Sequence, residues 1–340
     1  MTATGPLPLH LRIKQMLEAG RDSAEQITMT ETRKSWIFLT PHHAYKLKKR
    51  VRDDLQDLTS LSARLDNSLV EIDLNRRLAL PIYLGVVKLC EDESKTLHLD
   101  GPGQIIDWLV KMQRMPESRM LEEMIAVPTD QKALGPGIDR LADTLVDFYK
   151  SAPRSHLKAT ELVTILQSQQ DLIAVVLFDP LFAAHHARFS AIFTAYDAAF
   201  DRFFSQYDVR AAQGWIRECH GDLRPEHICL TDPPLIFDCL EFNRNLRLLD
   251  PFQELAQLGL ETDILGAAWI KPRLIDAVAD GLGHKPSQDL LDFYQVSHAL
   301  LRMRLCLAHL LVPEPRKPKK WLPLALRYCE MAERLLGARS

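Results

Sequence analysis

The run Cys219-His220-Gly221-Asp222-Leu223-Arg224-Pro225-Glu226-His227-Ile228, followed by Leu235-Ile236-Phe237-Asp238, constrains this chain more than any other stretch. It places an acid, an imidazole and a second acid around one expected hairpin, Ile228 to Phe237. Taken alone, Asp222 reads as a turn acid satisfied by nearby backbone N–H groups. Asp238 ends an apolar strand, where a carboxylate either caps the next element or needs a partner to offset its desolvation.

Together they carry more. The order His-Gly-Asp, four residues, His, then Phe-Asp matches the H-R-D-x4-N and D-F-G elements of kinases, in which the first Asp takes the acceptor hydroxyl proton and the other two groups hold metal. These residues resemble the catalytic loop of the aminoglycoside phosphotransferase family, part of the protein-kinase-like fold. The segment Phe237 to Asn243, then Asp250-Pro251 and Glu254-Leu255-Ala256, resembles a bacterial branch of that family. One departure stands out: where the family has Asn, five residues after the catalytic Asp, this chain has His227.

A chain of 340 residues, 46% hydrophobic and 26% charged, can bury one large core or two modest ones. A formal charge of −3 gives no electrostatic reason to expect nucleic acid or an anionic membrane as the main partner. Met1 to Gly20 lacks the pattern of a secretory signal, and no run approaches eighteen apolar residues, so the expected compartment is cytoplasmic, as monomer or homodimer. The six cysteines form no CxxC pair and sit among apolar neighbours, the pattern of reduced core residues.

An amphipathic helix is expected near 8 to 19 and a first strand near Gln26 to Thr30. Ser35 to Leu39 and Ala44 to Lys48 read as strands joined by Thr40-Pro41-His42-His43. Leu55, Leu58, Leu61, Leu65, Leu69 and Ile72 recur every three or four residues, which predicts a helix from about Asp54 to Ala79 with those residues inward. Strands at 83–90 and 104–111, turned by Gly101-Pro102-Gly103, complete a small antiparallel sheet. Met112 to Pro116 then suits a hinge holding an adenine ring, with Met112 and Arg114 as candidate nucleotide contacts. Beyond 117 the periodicity is helical, at about 138–150, 157–175, 186–207, 286–311 and 320–337, with the hairpin as the only strong strand pair. The expected class is α+β: an N-lobe over 1–115 with a small sheet and one long helix, and a helical C-lobe over 116–340 with the catalytic and metal loops and the acceptor site.

Alternation puts Lys46 and Lys48 on one strand face. By resemblance Lys46 is the lysine that contacts the nucleotide phosphates, with Lys48 as runner-up, and Glu71 is the acid that pairs with it. Asp73 lies about 200° around the helix and faces elsewhere. Asp222 is the candidate base; Asp238 and His227 are the candidate metal ligands for Mg²⁺ or Mn²⁺; ATP is the expected donor and a small-molecule hydroxyl the acceptor. Glu31-Thr32-Arg33-Lys34 contains no glycine, so a phosphate loop there approaches less closely. Asp250 and Glu254 read as braces of the catalytic loop, and Arg302 and Arg304 as residues near an anionic acceptor, core braces or solvated groups.

Three roles for His227 remain open at this level: an atypical metal ligand, a direct phosphate contact, or the mark of a protein that binds nucleotide without turnover. A third functional class takes His220, Asp222 and His227 as ligands of a hydrolytic metal centre.

Overall fold

The structure, a computed structural model, describes residues 7–19, 27–53, 55–127 and 131–337. The chain divides into two compact units, one of residues 1–119 with 235–244, the other of 120–234 with 245–340.

The first unit is built on a six-stranded antiparallel sheet. Along the chain come α1 (Leu9–Glu18), β1 (Thr28–Glu31), β2 (Ser35–Leu39), β3 (His43–Lys48), the two-residue strands β4 (Arg52–Asp53) and β5 (Gln56–Asp57), α2 (Leu61–Ala79), β6 (Tyr83–Glu91), β7 (Leu97–Leu99) and β8 (Gln104–Gln113). The sheet order is β1-β2-β3-β8-β6-β7. Alternation along β3 sorts its residues: Tyr45 and Leu47 join the core under α1 with Ile13, Leu17, Phe38 and Leu109, while Ala44 joins Ile72, Val110 and Met112 on the α2 side. Lys46 and Lys48 share the face of Ala44.

Helix α2 starts later than the leucine spacing predicts. Ser60 caps it, its hydroxyl accepting from the Ala63 N–H at 3.1 Å. Leu58 belongs to the preceding turn and Leu55 to the β4–β5 connection, both outside the helix; Asp54 lies outside the described residues. The inward stripe is also different. Arg64, Ser68, Glu71, Ile72, Asn75 and Ala79 are buried, whereas Leu69 is exposed. Polar groups occupy that face because each meets a specific partner there: Arg64 pairs with Asp107 of β8 at 2.7 Å, both side chains nearly inaccessible.

The Gly101–Gly103 turn joins β7 to β8, not the strands on either side of it in the expected layout, because Leu97–Leu99 forms an extra edge strand on β6. Gly103, at φ +107°, lies so close to the Glu91 carbonyl that a Cβ would sit 2.3 Å from its oxygen.

The second unit contains α3 (Leu121–Ala126), α4 (Gln131–Ser151), α5 (Ala159–Leu177), α6 (His186–Ala212), β9 (Arg217–Glu218) and β10 (Ile228–Cys229). After β11 (Leu235–Ile236), which belongs to the first unit, it resumes with β12 (Leu248–Leu249), α7 (Pro251–Ile264), α8 (Ile270–Leu282), α9 (Gln288–Ala308) and α10 (Pro318–Gly337). All five expected helices are present. Helices α3, α7 and α8 and the β9–β12 pair were not anticipated. Helix α7 is buried almost throughout, so its sequence carries no solvent face to create a period. The six cysteines are buried and form no disulfide with one another. Among the described residues no single helix is long and apolar enough to cross a membrane; α5 with the segment Pro180–Phe200 passes that test only as a pair bent by 90°.

Candidate active site

In the first unit, the face shared by Lys46 and Lys48 carries a linked set of ion pairs. The Lys46 ammonium sits 2.8 Å from Glu71 Oε1 and 2.8 Å from Asp238 Oδ1. Lys48 sits 2.5 Å from Glu71 Oε2 and 2.9 Å from Glu241 Oε1. Glu71 is inaccessible, and its carboxylate therefore takes one lysine on each oxygen. Burial alone would lower the Lys46 pKa, but the Asp238, Glu71 and Glu241 charges outweigh it and hold the ammonium well above its ordinary value. Burial would likewise raise Glu71, and Lys46 and Lys48 instead hold it below the usual carboxylate range. The site is thus ionised on both sides.

Asp238 follows β11 with φ +61°, a left-handed conformation that Asp tolerates better than most side chains. Three groups hold that turn. Its N–H donates to the Tyr83 hydroxyl at 3.4 Å, and the next N–H, of Cys239, donates to Asn75 Oδ1 at 2.9 Å. Asn75 in turn donates to the Glu71 carbonyl at 2.8 Å. Sequence reading missed Asn75 and Tyr83; Asn75 had a signal, since it lies one helical turn after Glu71 and shares its face. Asp73 is exposed, as its angle around the helix requires.

Met112, next to last in β8, packs in the α2-side core, paired in register with Ala44 and Tyr83. Arg114 is engaged locally, with its backbone N–H on the His42 carbonyl at 2.9 Å and its guanidinium on the Thr40 carbonyl and on Glu117. The Thr32–Lys34 turn closes on itself through Thr32 and Ser35.

In the second unit, the loop around Asp222 is held from several helices. Gly221 has φ +87°, and its N–H donates to Glu254 Oε1 at 2.6 Å. The other Glu254 oxygen accepts from the Tyr149 hydroxyl at 2.9 Å. Asp250 caps α7 through the Phe252 N–H and accepts from Arg210 of α6 and Tyr294 of α9. Asp250 and Glu254 are fully buried and brace the loop. Asp222 itself keeps a third of its side chain exposed, with the Gln257 amide 3.4 Å from Oδ1. A Gly221→Ala variant is expected to lose about 1–2 kcal/mol from the left-handed position and to displace Asp222, read as a lower melting temperature together with lost turnover.

His227 Nδ1 lies 2.9 Å from the Asp222 carbonyl oxygen. A carbonyl only accepts, so Nδ1 carries a proton. The Asp222 N–H donates to His220 Nδ1 at 3.3 Å. Both rings thus spend Nδ1 on this loop's backbone, and among the described residues no group of three or more His, Cys, Asp or Glu could hold a metal by itself. This geometry does not favour a hydrolytic centre built from His220, Asp222 and His227. A magnesium ion carried by a nucleotide needs less from the protein, one or two carboxylates with water and phosphate completing the shell. Asp238, 43% exposed, fits that role.

Beside Asp222 lies a buried polar network that sequence reading named only through Arg302. Glu261 Oε1 accepts from His298 Nε2 at 3.2 Å and pairs with Arg302 Nε at 2.9 Å; Oε2 accepts from the Tyr328 hydroxyl at 2.7 Å. Burial would raise Glu261, but the His298 hydrogen bond and the Arg302 charge bring it to about 2. Burial pulls His298 below the usual histidine range despite Glu261. Both folded values lie below the ordinary ones, so the unfolded chain binds more protons and stability falls with pH, from about 6.5 downward for His298 and from about 4.5 toward 2 for Glu261. The melting temperature is expected to drop between pH 7 and 5, and His298→Gln to remove part of that drop; an unchanged slope would contradict this account.

No protein-family model matches the chain. It is 27% identical over 290 residues to uncharacterized proteins of Mycobacterium tuberculosis (strain H37Rv) and Mycobacterium bovis, covering 82% of this chain and 54% of theirs. The chain therefore spans about half the length of the curated relatives it matches. Among solved structures, a choline/ethanolamine kinase family protein from Mesorhizobium loti aligns with TM-score 0.58 and 15% identity, covering 96% of this chain and 93% of that one. The choline kinase of Streptococcus pneumoniae aligns at 0.55 and 14%, covering 96% and 99%. A glucosamine kinase aligns at 0.53 and 12%, covering 96% and 80%. The fold anticipated from the His-Gly-Asp and Phe-Asp motifs is the fold observed, and the chain carries the two-lobed, protein-kinase-like α+β architecture of these proteins.

Proposed function

We propose that the chain is an ATP-dependent phosphotransferase acting on a hydroxyl of a small molecule. The observation that carries this reading is the Lys46 ammonium held between Glu71 and Asp238 at 2.8 Å from each. A buried lysine with two carboxylates has surplus negative charge around it, and nucleotide phosphates competing with Asp238 for Lys46 leave that acid able to hold a divalent ion. Phosphoryl transfer asks the protein for positioning and charge more than for covalent chemistry. In this reading Lys46 holds phosphate oxygens, Glu71 with Lys48 and Glu241 fixes Lys46, and Asp222 orients the acceptor hydroxyl and takes its proton. The acceptor oxygen bonds to the γ-phosphorus, the bond to the bridging oxygen breaks, and ADP leaves. The bound ion would supply charge neutralisation on the phosphates, and Asp238 and His227 are the groups that would hold it. Two solved structures of similar fold, a choline kinase and a glucosamine kinase, support a small-molecule acceptor.

His227 favours a second reading, nucleotide binding with weak or no turnover, since imidazole serves Mg²⁺ less well than an amide oxygen. A thermal-shift panel with ATP, ADP and GTP, each with Mg²⁺ or Mn²⁺, tests both. Nucleotide at 100 times its dissociation constant stabilises by about 2.7 kcal/mol, a shift of several degrees. If His227 ligates the ion, Mn²⁺ supports more ADP release than Mg²⁺ in the native chain, and His227→Asn reverses that order. No shift with any nucleotide would overturn the proposal.

A further inference from the structure

On the Asp222 side of the second unit, hydrogen-bond donors outnumber the acceptors left to meet them. Gln257 and Glu261 are one turn apart on α7, and Gln257 reaches Asp222. His298 and Arg302 are one turn apart on α9 and both meet Glu261. Glu261 is spent, with His298, Arg302 and Tyr328 on its two oxygens. Arg302 is not spent. Its Nε serves Glu261 and Tyr328, and its two terminal nitrogens bond to no described residue and form the accessible end of a side chain that is 13% exposed.

Arg224, two residues beyond Asp222, adds a second guanidinium. Its Nη2 pairs with Glu226 at 2.5 Å, while its buried Nε has no partner among the described residues. Arg302 lies near enough to feel the Asp222 charge, and Arg224 near enough to feel Glu261. Of the other carboxylates here, Glu254 and Asp250 are consumed by the loop they brace. Glu122, beside Arg224, Glu226 and Lys320, is half-buried and makes no ion pair among the described residues; burial and then Glu226 hold it above the usual carboxylate range, which weakens it as a partner for a cation.

We propose that the acceptor of the phosphotransfer reading is an anionic alcohol, a small molecule bearing a carboxylate or phosphate, with Arg302 and Arg224 as the residues that select it. This rests on the phosphotransferase assignment and deepens it. The buried Nε–H of Arg224 is costly unless a ligand meets it, and the open planar fork of Arg302 matches both oxyanions. The helical pitch sets the scale. The hydroxyl at Asp222 and the anion stand on the order of one turn, ~5–6 Å, apart, the span of a short hydroxy acid or glycerol phosphate.

The test is calorimetric titration of the nucleotide-free full chain with D-glycerate, glycerol 1-phosphate, choline and glucosamine, and separately with Mg²⁺ and ATP. At least one acid is expected to bind, and Arg302→Met to weaken it tenfold or more while ATP affinity is kept. In turnover the same variant raises KM for the acid with kcat nearly unchanged. Glycerol 1-phosphate alone binding assigns a phosphate, D-glycerate alone a carboxylate, and both together the shared chemistry. Because Arg302→Met strands Glu261, the paired variant Arg302→Met with Glu261→Gln removes both charges, and Arg224→Met probes the second guanidinium without touching that pair. Binding of choline or glucosamine with neither acid bound, no binding by either acid, or equal acid affinity in all three variants would overturn the inference. Loss of ATP binding by the native chain strikes the phosphotransferase reading itself and is seen in the separate titration.

Discussion

An Asp222→Asn variant is expected to release ADP at least about 100-fold more slowly than the native chain, within the range of roughly 10²–10⁴ that a positioned general base contributes. Its nucleotide affinity and melting temperature should be nearly unchanged. The asymmetry follows from the surroundings. The side chain is one-third exposed, with His227 Nδ1 3.7 Å from one oxygen and the Gln257 amide on the other, whose N–H the Asn carbonyl can still meet. The loop is fixed by Gly221, Glu254 and Asp250, none of which bonds the Asp222 carboxylate. Substitution removes proton acceptance and leaves position. A variant keeping more than half the native rate would show that Asp222 is a turn residue and that the base lies elsewhere.

The second large effect belongs to Glu71. Glu71→Ala leaves the Lys46 and Lys48 ammonium groups, 12% and 3% exposed, without the carboxylate they share. Stranding charge in this way costs about 3–5 kcal/mol, read as a lower urea midpoint for the first unit. Lys48 retains Glu241, and Lys46 collapses onto Asp238. Nucleotide binding is expected to fall with stability. Lys46→Met is milder for folding, since Lys48 still neutralises Glu71 and Asp238 is half in solvent. Equal stability of Glu71→Ala and the native chain would mean that the ion set is a surface decoration.

Where the sequence was legible, short-range chemistry decided the outcome. The alternation Ala44-Tyr45-Lys46-Leu47-Lys48 put both lysines on one face, and both reach Glu71. It could not rank them, because ranking requires the position of Asp238, almost two hundred residues away. The braces at Asp250 and Glu254 were legible through their spacing and the family resemblance, while the helix α7 that they cap and begin was not. The α2 register was not: the leucine repeat implied an apolar inward face, and tertiary partners such as Asp107 and Asn75's contact with Cys239 favoured a polar one. The Glu261–His298–Arg302–Tyr328 network was invisible for the same reason, since three separate helices bring it together and none carries a motif.

The most direct measurement is calorimetric titration of the full chain and its Lys46→Met variant with ATP in the presence of Mg²⁺ and of Mn²⁺. The native chain is expected to bind with either ion and the variant to bind at least tenfold more weakly. Native and variant chains of equal affinity, or a native chain that binds no nucleotide, would contradict the assignment of Lys46, Glu71 and Asp238 to a nucleotide phosphate site.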